Sequence, residues 1–272
     1  MNPIDQLFQR LRSQGKKVFI PFITAGDPDL KATESLIPKL AESGASLIEI
    51  GFPYSDPIAD GAVIQASYTR ALDKGLQIDE IFDSVSSIRR NALRNQDTPL
   101  VGMISYSLVQ HRGPKEFLGQ AQESGFSGAI VPDLPVEESA DLARLAAARD
   151  FKLIQLVTPT TPRDRAVQIA KTSTGFLYCV SVTGITGERD RLPEELLTQL
   201  AWLRRQTDLP LCVGFGISKP EHVRMLREVA DGVIVGSALV RKLEQAKSRT
   251  IEEVTQDICT LVRTLSSALD SP

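Results

Sequence analysis

Along this chain of 272 residues, short apolar runs alternate with stretches of helical periodicity from one end to the other. The strand-like runs are residues 18–24, the run around Leu47–Ile50, 100–106, 128–134, 151–158, 176–182, 211–215 and 232–235. Each is followed by at least one helical stretch, the last by a helical C-terminal region. Strict strand–helix alternation implies parallel strands joined by right-handed crossovers. Eight such units close into a (β/α)8 TIM barrel more readily than into an open doubly wound sheet, and the length suits one large α/β barrel. Two additions to the minimal plan are predicted. An N-terminal helix carries Ile4, Leu7, Phe8 and Leu11 at helical spacing and stops at Gly15. A helix over 62–74 is inserted after the second strand, ahead of another over 79–93. Asp27 is the candidate cap of the helix that ends before Gly44. No linker or low-complexity tract divides the chain, so residues 1–272 are read as a single domain.

The bulk numbers exclude several classes. A net charge of −3 with scattered Lys and Arg leaves no basic footprint for nucleic acid or an anionic membrane. No apolar run reaches membrane-spanning length, and the N-terminus lacks a charged-then-apolar signal pattern, so a cytoplasmic protein is expected. Cys179, Cys212 and Cys259 are widely spaced without a CxxC, and Cys179 and Cys212 sit in apolar runs, which fits small buried hydrophobes in a reducing compartment. His111 and His222 have no ligand-like partners in sequence, so neither a His-based triad nor a metal site is expected.

The most informative stretch is residues 46–61, SLIEIGFPYSDPIADG. Side chains alternate along a strand, so Leu47, Glu49 and Gly51 share one face and Ile48 and Ile50 the other. A carboxylate in such a run is costly to bury ionised. Its pKa should rise, which suits a group that gives and takes a proton near neutral pH. Asp56 and Asp60 follow in a loop, where ionisation is expected to be cheap; a raised carboxyl beside an ionised one divides acid and base roles. The residues alone leave open a structural ion pair for Glu49 and turn-and-cap roles for the two Asp residues.

Chemistry in such barrels sits on loops at the C-terminal ends of the strands. Three late loops carry glycine: 183–187 after the sixth strand, 214–218 after the seventh, and Gly236-Ser237 opening a helix after the eighth. Glycines let backbone N–H groups approach an anion, and a helix N-terminus adds the positive end of its dipole. Tight turns would use the same residues, but GFGIS paired with a later GS at a helix start converges on one side of the mouth. A phosphorylated small-molecule substrate is expected.

Together these residues resemble the α subunit of tryptophan synthase. The matching runs are PFITAGDPD at 21–29, EIGFPYSDPIADG at 49–61, VPDLPVEES at 131–139, SVTGITG at 181–187, GFGIS at 214–218 and VGSALV at 235–240. The resemblance implies retro-aldol cleavage of indole-3-glycerol phosphate to indole and glyceraldehyde 3-phosphate. It implies no cofactor on this chain, with pyridoxal phosphate (PLP) only on a β subunit that receives the indole in an α2β2 heterotetramer. It implies that Glu49 and Asp60 are the catalytic pair. Phosphate contacts carry over to Gly187, Gly216, Gly236 and Ser237. Phe22, Ile104, Tyr178 and Phe215 correspond to the indole wall, Thr186 to the closing loop, and Asp56 to the loop that signals to the β subunit.

Two departures from the family pattern stand out. The third-strand loop reads Tyr106-Ser107-Leu108-Val109, which puts partner docking in question, and the closing loop reads Gly187-Glu188-Arg189-Asp190. A non-catalytic phosphate-binding partner of a β-like subunit is a competing reading, against which the intact Glu49 and Asp60 argue. Another barrel enzyme, such as an epimerase or the preceding synthase of the pathway, would need a metal site or a strand lysine. Lys152 stands at the start of a strand, the wrong end of a barrel.

Overall fold

The fold is that of a computed structural model, which describes residues 1–57, 60–94, 96–181, 194–214 and 216–270. Its strands are β1 Val18–Thr24, β2 Ile48–Gly51, β3 Leu100–Met103, β4 Gly128–Ile130, β5 Lys152–Ile154, β6 Leu156–Val157, β7 Leu177–Val180, β8 Leu211–Gly214 and β9 Gly232–Val235. The helices are α1 Pro3–Ser13, α2 Leu30–Glu42, α3 Ala62–Leu72, α4 Ile78–Arg90, α5 Tyr106–Arg112, α6 Pro114–Ser124, α7 Ala140–Ala147, α8 Arg163–Thr172, α9 Glu194–Leu203, α10 Pro220–Arg227, α11 Ser237–Leu243 and α12 Ile251–Asp270. All recorded strand pairs are parallel, and the order β5-β4-β3-β2-β1-β9-β8-β7-β6 winds the sheet into a nearly closed barrel.

The two ends of that sheet are consecutive halves of one run. Residues 151–158 read as a single strand in sequence, but the strand breaks at Gln155. There the backbone N–H is taken by the Ser173 hydroxyl and the Gln155 carbonyl accepts from the Tyr178 N–H. The Thr174 hydroxyl accepts from the Leu153 N–H in the same way. Side chains thus stand in for ladder partners at the seam, and nine short strands fill eight barrel positions.

Alternation along the strands sorts buried side chains into two layers. Ile20, Phe22, Val101, Met103, Ile130 and Tyr178 belong to the cluster inside the barrel. Phe19, Ile23, Ile48, Ile50, Leu100 and Val213 belong to the cluster between strands and helices. Helix α1 closes the N-terminal end of the barrel: Ile4, Leu7 and Phe8 join the inner cluster, and the Phe8 and Phe176 rings meet at 5.8 Å. Lys152 lies at that same end, paired with Asp5 and Asp150. Helix α3 covers the opposite end, contributing Ile64 and Tyr68 to the inner cluster.

Several local expectations are corrected. Asp29, not Asp27, caps α2, its side chain accepting from the Ala32 N–H. Asp27 instead takes a bidentate contact from Arg70, with Nε and Nη2 donating at 2.9 and 2.7 Å. The helical stretch that follows the fourth strand, residues 136–149 by its periodicity, is not one helix; a 3-10 turn at Val136–Glu138 precedes α7. The third strand stops at Met103 because Ser105 caps a further helix, α5, accepting from the Ser107 N–H.

The Asp27–Arg70 pair joins the end of β1 to α3, and Arg70 also reaches Glu244 after α11 at 3.6 Å. Asp27 is 1% exposed at its side chain, so removing the guanidinium strands a buried carboxylate. Arg70→Leu is expected to lower unfolding free energy by about 3 kcal/mol in urea titrations at pH 7.

Candidate active site

Glu49 stands on β2 beside Phe22 of β1 and Val101 of β3, whose side chains also face the barrel interior. It is 1% exposed, and neither carboxyl oxygen has a hydrogen-bond partner among the described residues. Among the described residues Glu49 therefore makes no structural ion pair of the kind the sequence left open. Burial, and next the charge of Asp60, push its pKa up to about 8, so Glu49 is a carboxylic acid at neutral pH.

Asp60 is 7% exposed, which corrects the expectation of a cheaply ionised loop residue. Burial raises its pKa to about 6, against the lowering effect of the Tyr54 hydroxyl, which donates to Oδ2 at 3.4 Å; the charge of Asp133 raises it further. The order expected from the sequence survives: Glu49 holds its proton where Asp60 has lost its own. The loop carrying Asp60 is tied down by Gln65 of α3, whose Nε2 donates to the carbonyls of Pro57 and Asp60 at 3.1 and 2.8 Å. Asp56, four residues earlier, is exposed.

The walls follow from where glycine leaves room. A Cβ on Gly51 would stand 2.6 Å from the Phe22 ring and 2.8 Å from the Tyr68 hydroxyl. A Cβ on Gly236 would touch Phe22 from the other side at 3.4 Å. Tyr178 of β7 occupies the space that a side chain on Gly214 would fill. Phe22 and Tyr178 therefore line one apolar interior with Glu49. Ile104 does not join them. It is the next residue after inward-facing Met103, and alternation sends it to the layer between strands and helices.

β8 and β9 are neighbours in the sheet, so the loops leaving their C-terminal ends emerge side by side. Gly216 is exposed with a φ of +75°, a conformation that favours glycine. Gly236 is the N-cap of α11 and makes no side-chain cap, and Ser237 begins the helix. Thr186, Gly187 and Phe215 lie outside the described residues, as does the rest of the closing loop over 187–190.

The structure adds residues the sequence reading passed over. Tyr54 holds Asp60, and Tyr68 packs on Tyr54 with ring centroids 5.5 Å apart. Asp133 accepts from the Ser105 hydroxyl and the Tyr106 N–H, each at 2.7 Å, fixing the start of α5. Tyr68 was findable: it falls four residues after Ile64, on the same helical face. Asp133 lay inside a quoted motif, but nothing local announced its partners. Among the described residues no group of His, Cys, Asp and Glu is arranged to hold a metal ion.

A parallel barrel with a neutral acid inside its second strand, a second carboxyl beside it and amide-bearing loops across the mouth defines a barrel enzyme of acid–base type. The comparisons give the class its particular member. The family model described as tryptophan synthase alpha chain matches residues 8–270, and this chain belongs to that family. It is 48% identical to the tryptophan synthase alpha chain of Rhodopirellula baltica over the full length of both. It is 44% identical to that of Synechococcus elongatus strain PCC 7942, covering 99% of this chain and 98% of the relative. The crystal structure of tryptophan synthase subunit alpha from Legionella pneumophila superposes with a TM-score of 0.90 at 35% identity, covering 99% of each chain. A structure described for mutual activation of the α2β2 complex of Pyrococcus furiosus matches at 0.84 and 39%, covering 92% of this chain and 98% of that one.

A buried acid whose folded pKa lies above its unfolded value favours the folded state while protonated. Its contribution is whole below the unfolded pKa, near 4.5, and is lost as pH rises to about 8. Glu49→Gln should therefore gain stability relative to the native chain between pH 5 and 8, by at most about 1.4 kcal/mol per pH unit, and then level off. Urea unfolding at pH 5, 7 and 9 measures this; a pH-independent difference would contradict it.

Proposed function

We propose that this chain cleaves indole-3-glycerol phosphate to indole and glyceraldehyde 3-phosphate by a retro-aldol step in tryptophan biosynthesis. The observation that carries the reading is Glu49: a buried carboxylic acid on the second strand, facing the barrel interior without a hydrogen-bond partner among the described residues, under the electrostatic influence of Asp60. Family membership supplies the substrate.

In this reading the indole ring enters the apolar space between Phe22 and Tyr178, with Phe215 contributing by analogy with the family. The Asp60 carboxylate takes the indole N–H proton and favours the tautomer protonated at C3. Glu49 delivers the C3 proton, which its raised pKa equips it to hold until substrate is bound. The resulting Glu49 carboxylate then takes the proton of the hydroxyl on the carbon attached to C3. That carbon becomes an aldehyde, and the electron pair of the breaking C–C bond returns to the ring. Asp60 hands its proton back to nitrogen, and both carboxyls are restored. The phosphate is assigned to backbone N–H groups of Gly187, Gly216, Gly236 and Ser237, and Thr186 to the loop that, by analogy with the family, closes on Asp60.

Two carboxyls supply all the proton transfers, so the scheme asks for no cofactor on this chain; pyridoxal phosphate is assigned to the partner. That partner is a tryptophan synthase β subunit in an α2β2 assembly, a reading supported by the matching Pyrococcus furiosus complex. Exposed Asp56, on the loop beside Asp60, is the signalling contact in this scheme. The assigned compartment is the cytoplasm, where the buried free thiols of Cys179, Cys212 and Cys259 stay reduced. Among the described residues no helix is long and apolar enough to cross a membrane.

Glu49→Gln and Asp60→Asn should each abolish indole release while leaving the fold and phosphate binding intact. Near-normal turnover in either variant would sink the assignment. In the native chain, kcat/KM should rise through about pH 6 as Asp60 ionises and fall through about pH 8 as Glu49 loses its proton. A profile flat across both limbs would count against the roles given to the two groups.

A further inference from the structure

Five buried side-chain polar atoms lack a hydrogen-bond partner among the described residues. Ser84 and Gln199 supply one each, from α4 and α9. The other three are the two oxygens of Glu49, on β2, and the hydroxyl of Tyr68, which α3 contributes to the inner cluster. Leaving a buried hydroxyl unpaired is costly, and such a group in a native fold calls for an explanation.

Tyr68 is 1% exposed. Its ring packs on Tyr54. Its hydroxyl sits against Gly51, the next residue after Glu49 on the same face of β2. The hydroxyls of Thr24 and Ser67, on β1 and α3, are already satisfied: they bond each other at 2.6 Å, and Ser67 also donates to the Ile64 carbonyl. Burial and the charges of Asp60, Tyr54 and Glu49 hold the Tyr68 pKa well above its ordinary value, so the phenol stays a donor wherever the enzyme works.

Among the described residues the Tyr68 hydroxyl and the Glu49 carboxyl are thus both without a hydrogen-bond partner, and they do not bond each other. A group set between them must accept from a phenol and donate to a carboxylate. An alcohol does both through one oxygen. We infer that Tyr68 is a catalytic hydrogen-bond donor that seats the substrate hydroxyl whose proton Glu49 removes. The inference rests on the reaction proposed above. In the cleavage step that hydroxyl loses its proton to Glu49, its C–O bond becomes C=O, and the C–C pair moves into the indole ring. Tyr68 keeps its own proton throughout. It supports the oxygen as negative charge develops on it, as an oxyanion-hole donor does.

Tyr68→Phe removes the hydroxyl and keeps the ring. With indole-3-glycerol phosphate as substrate, kcat/KM should fall about 10- to 100-fold, the range of a hydrogen bond to a charged oxygen. Indole-3-propyl phosphate, which has no hydroxyl on its chain, should bind native and variant chains with the same Kd by calorimetry. A structural role would weaken both ligands alike, and that result, or native turnover in the variant, overturns the inference. A native chain that releases no indole overturns the proposed reaction and this assignment with it. An active native chain beside an equally active Tyr68→Phe chain overturns this assignment alone. Independently of the variant's folding, a crystal structure of Glu49→Gln with substrate should place Tyr68 Oη within about 3.2 Å of that hydroxyl. A separation too long for a hydrogen bond contradicts it.

Discussion

A carboxyl group inside an apolar barrel must be matched by a partner or remain neutral, because the ionised form loses its hydration without return. Glu49 has no hydrogen-bond partner among the described residues and is held as the acid. Much of the mouth serves this condition. The helix α3 shields it from water with Ile64 and Tyr68, and Phe22 and Tyr178 pack around it where Gly51 and Gly214 leave room. The second carboxyl, Asp60, feels the same burial more weakly and is eased by the Tyr54 hydroxyl. Two carboxyls whose ordinary values are 4.5 and 3.8 therefore change charge about two pH units apart (about 8 against about 6), and most of the separation comes from environment.

That environment depends on elements beyond the eight-unit plan. The α1 helix plugs the far end of the barrel with Ile4, Leu7 and Phe8, which leaves the other end for chemistry. The α3 helix is both the roof and the anchor of the loop that bears Asp60, through Gln65. It is itself pinned to the end of β1 by Arg70 and Asp27, and Arg70 reaches on to the turn after α11. A single guanidinium thus couples the strand beside Glu49, the helix above it and the helix whose first residues are assigned to the phosphate.

Much of this was legible from residue order. The alternation of runs specified parallel strands, and Glu49 among Leu47, Ile48 and Ile50 marked an acid facing inward. The loops opening at Gly216 and Gly236 were recognisable because glycine is placed where backbone must approach or turn. Other features were hidden by their dependence on distant partners. Asp27 has a capping residue's local pattern, and only its meeting with Arg70, far along the chain, takes it from that role. The third strand looked longer than it is because Ile104 is apolar; the cap at Ser105 and its bond to Asp133 end the strand.

The sequence by itself determined the barrel, the identity of the two carboxyls and the side of the sheet on which Glu49 stands, because strand periodicity and loop composition are local properties. Tertiary structure alone decided that Asp60 is buried, that Ile104 belongs to the outer layer, that one strand divides at Gln155 and that Tyr68 reaches the mouth with its hydroxyl unpaired. Each of these depends on desolvation or on a hydrogen-bond partner supplied by another element. Such quantities have no value until the chain has closed on itself.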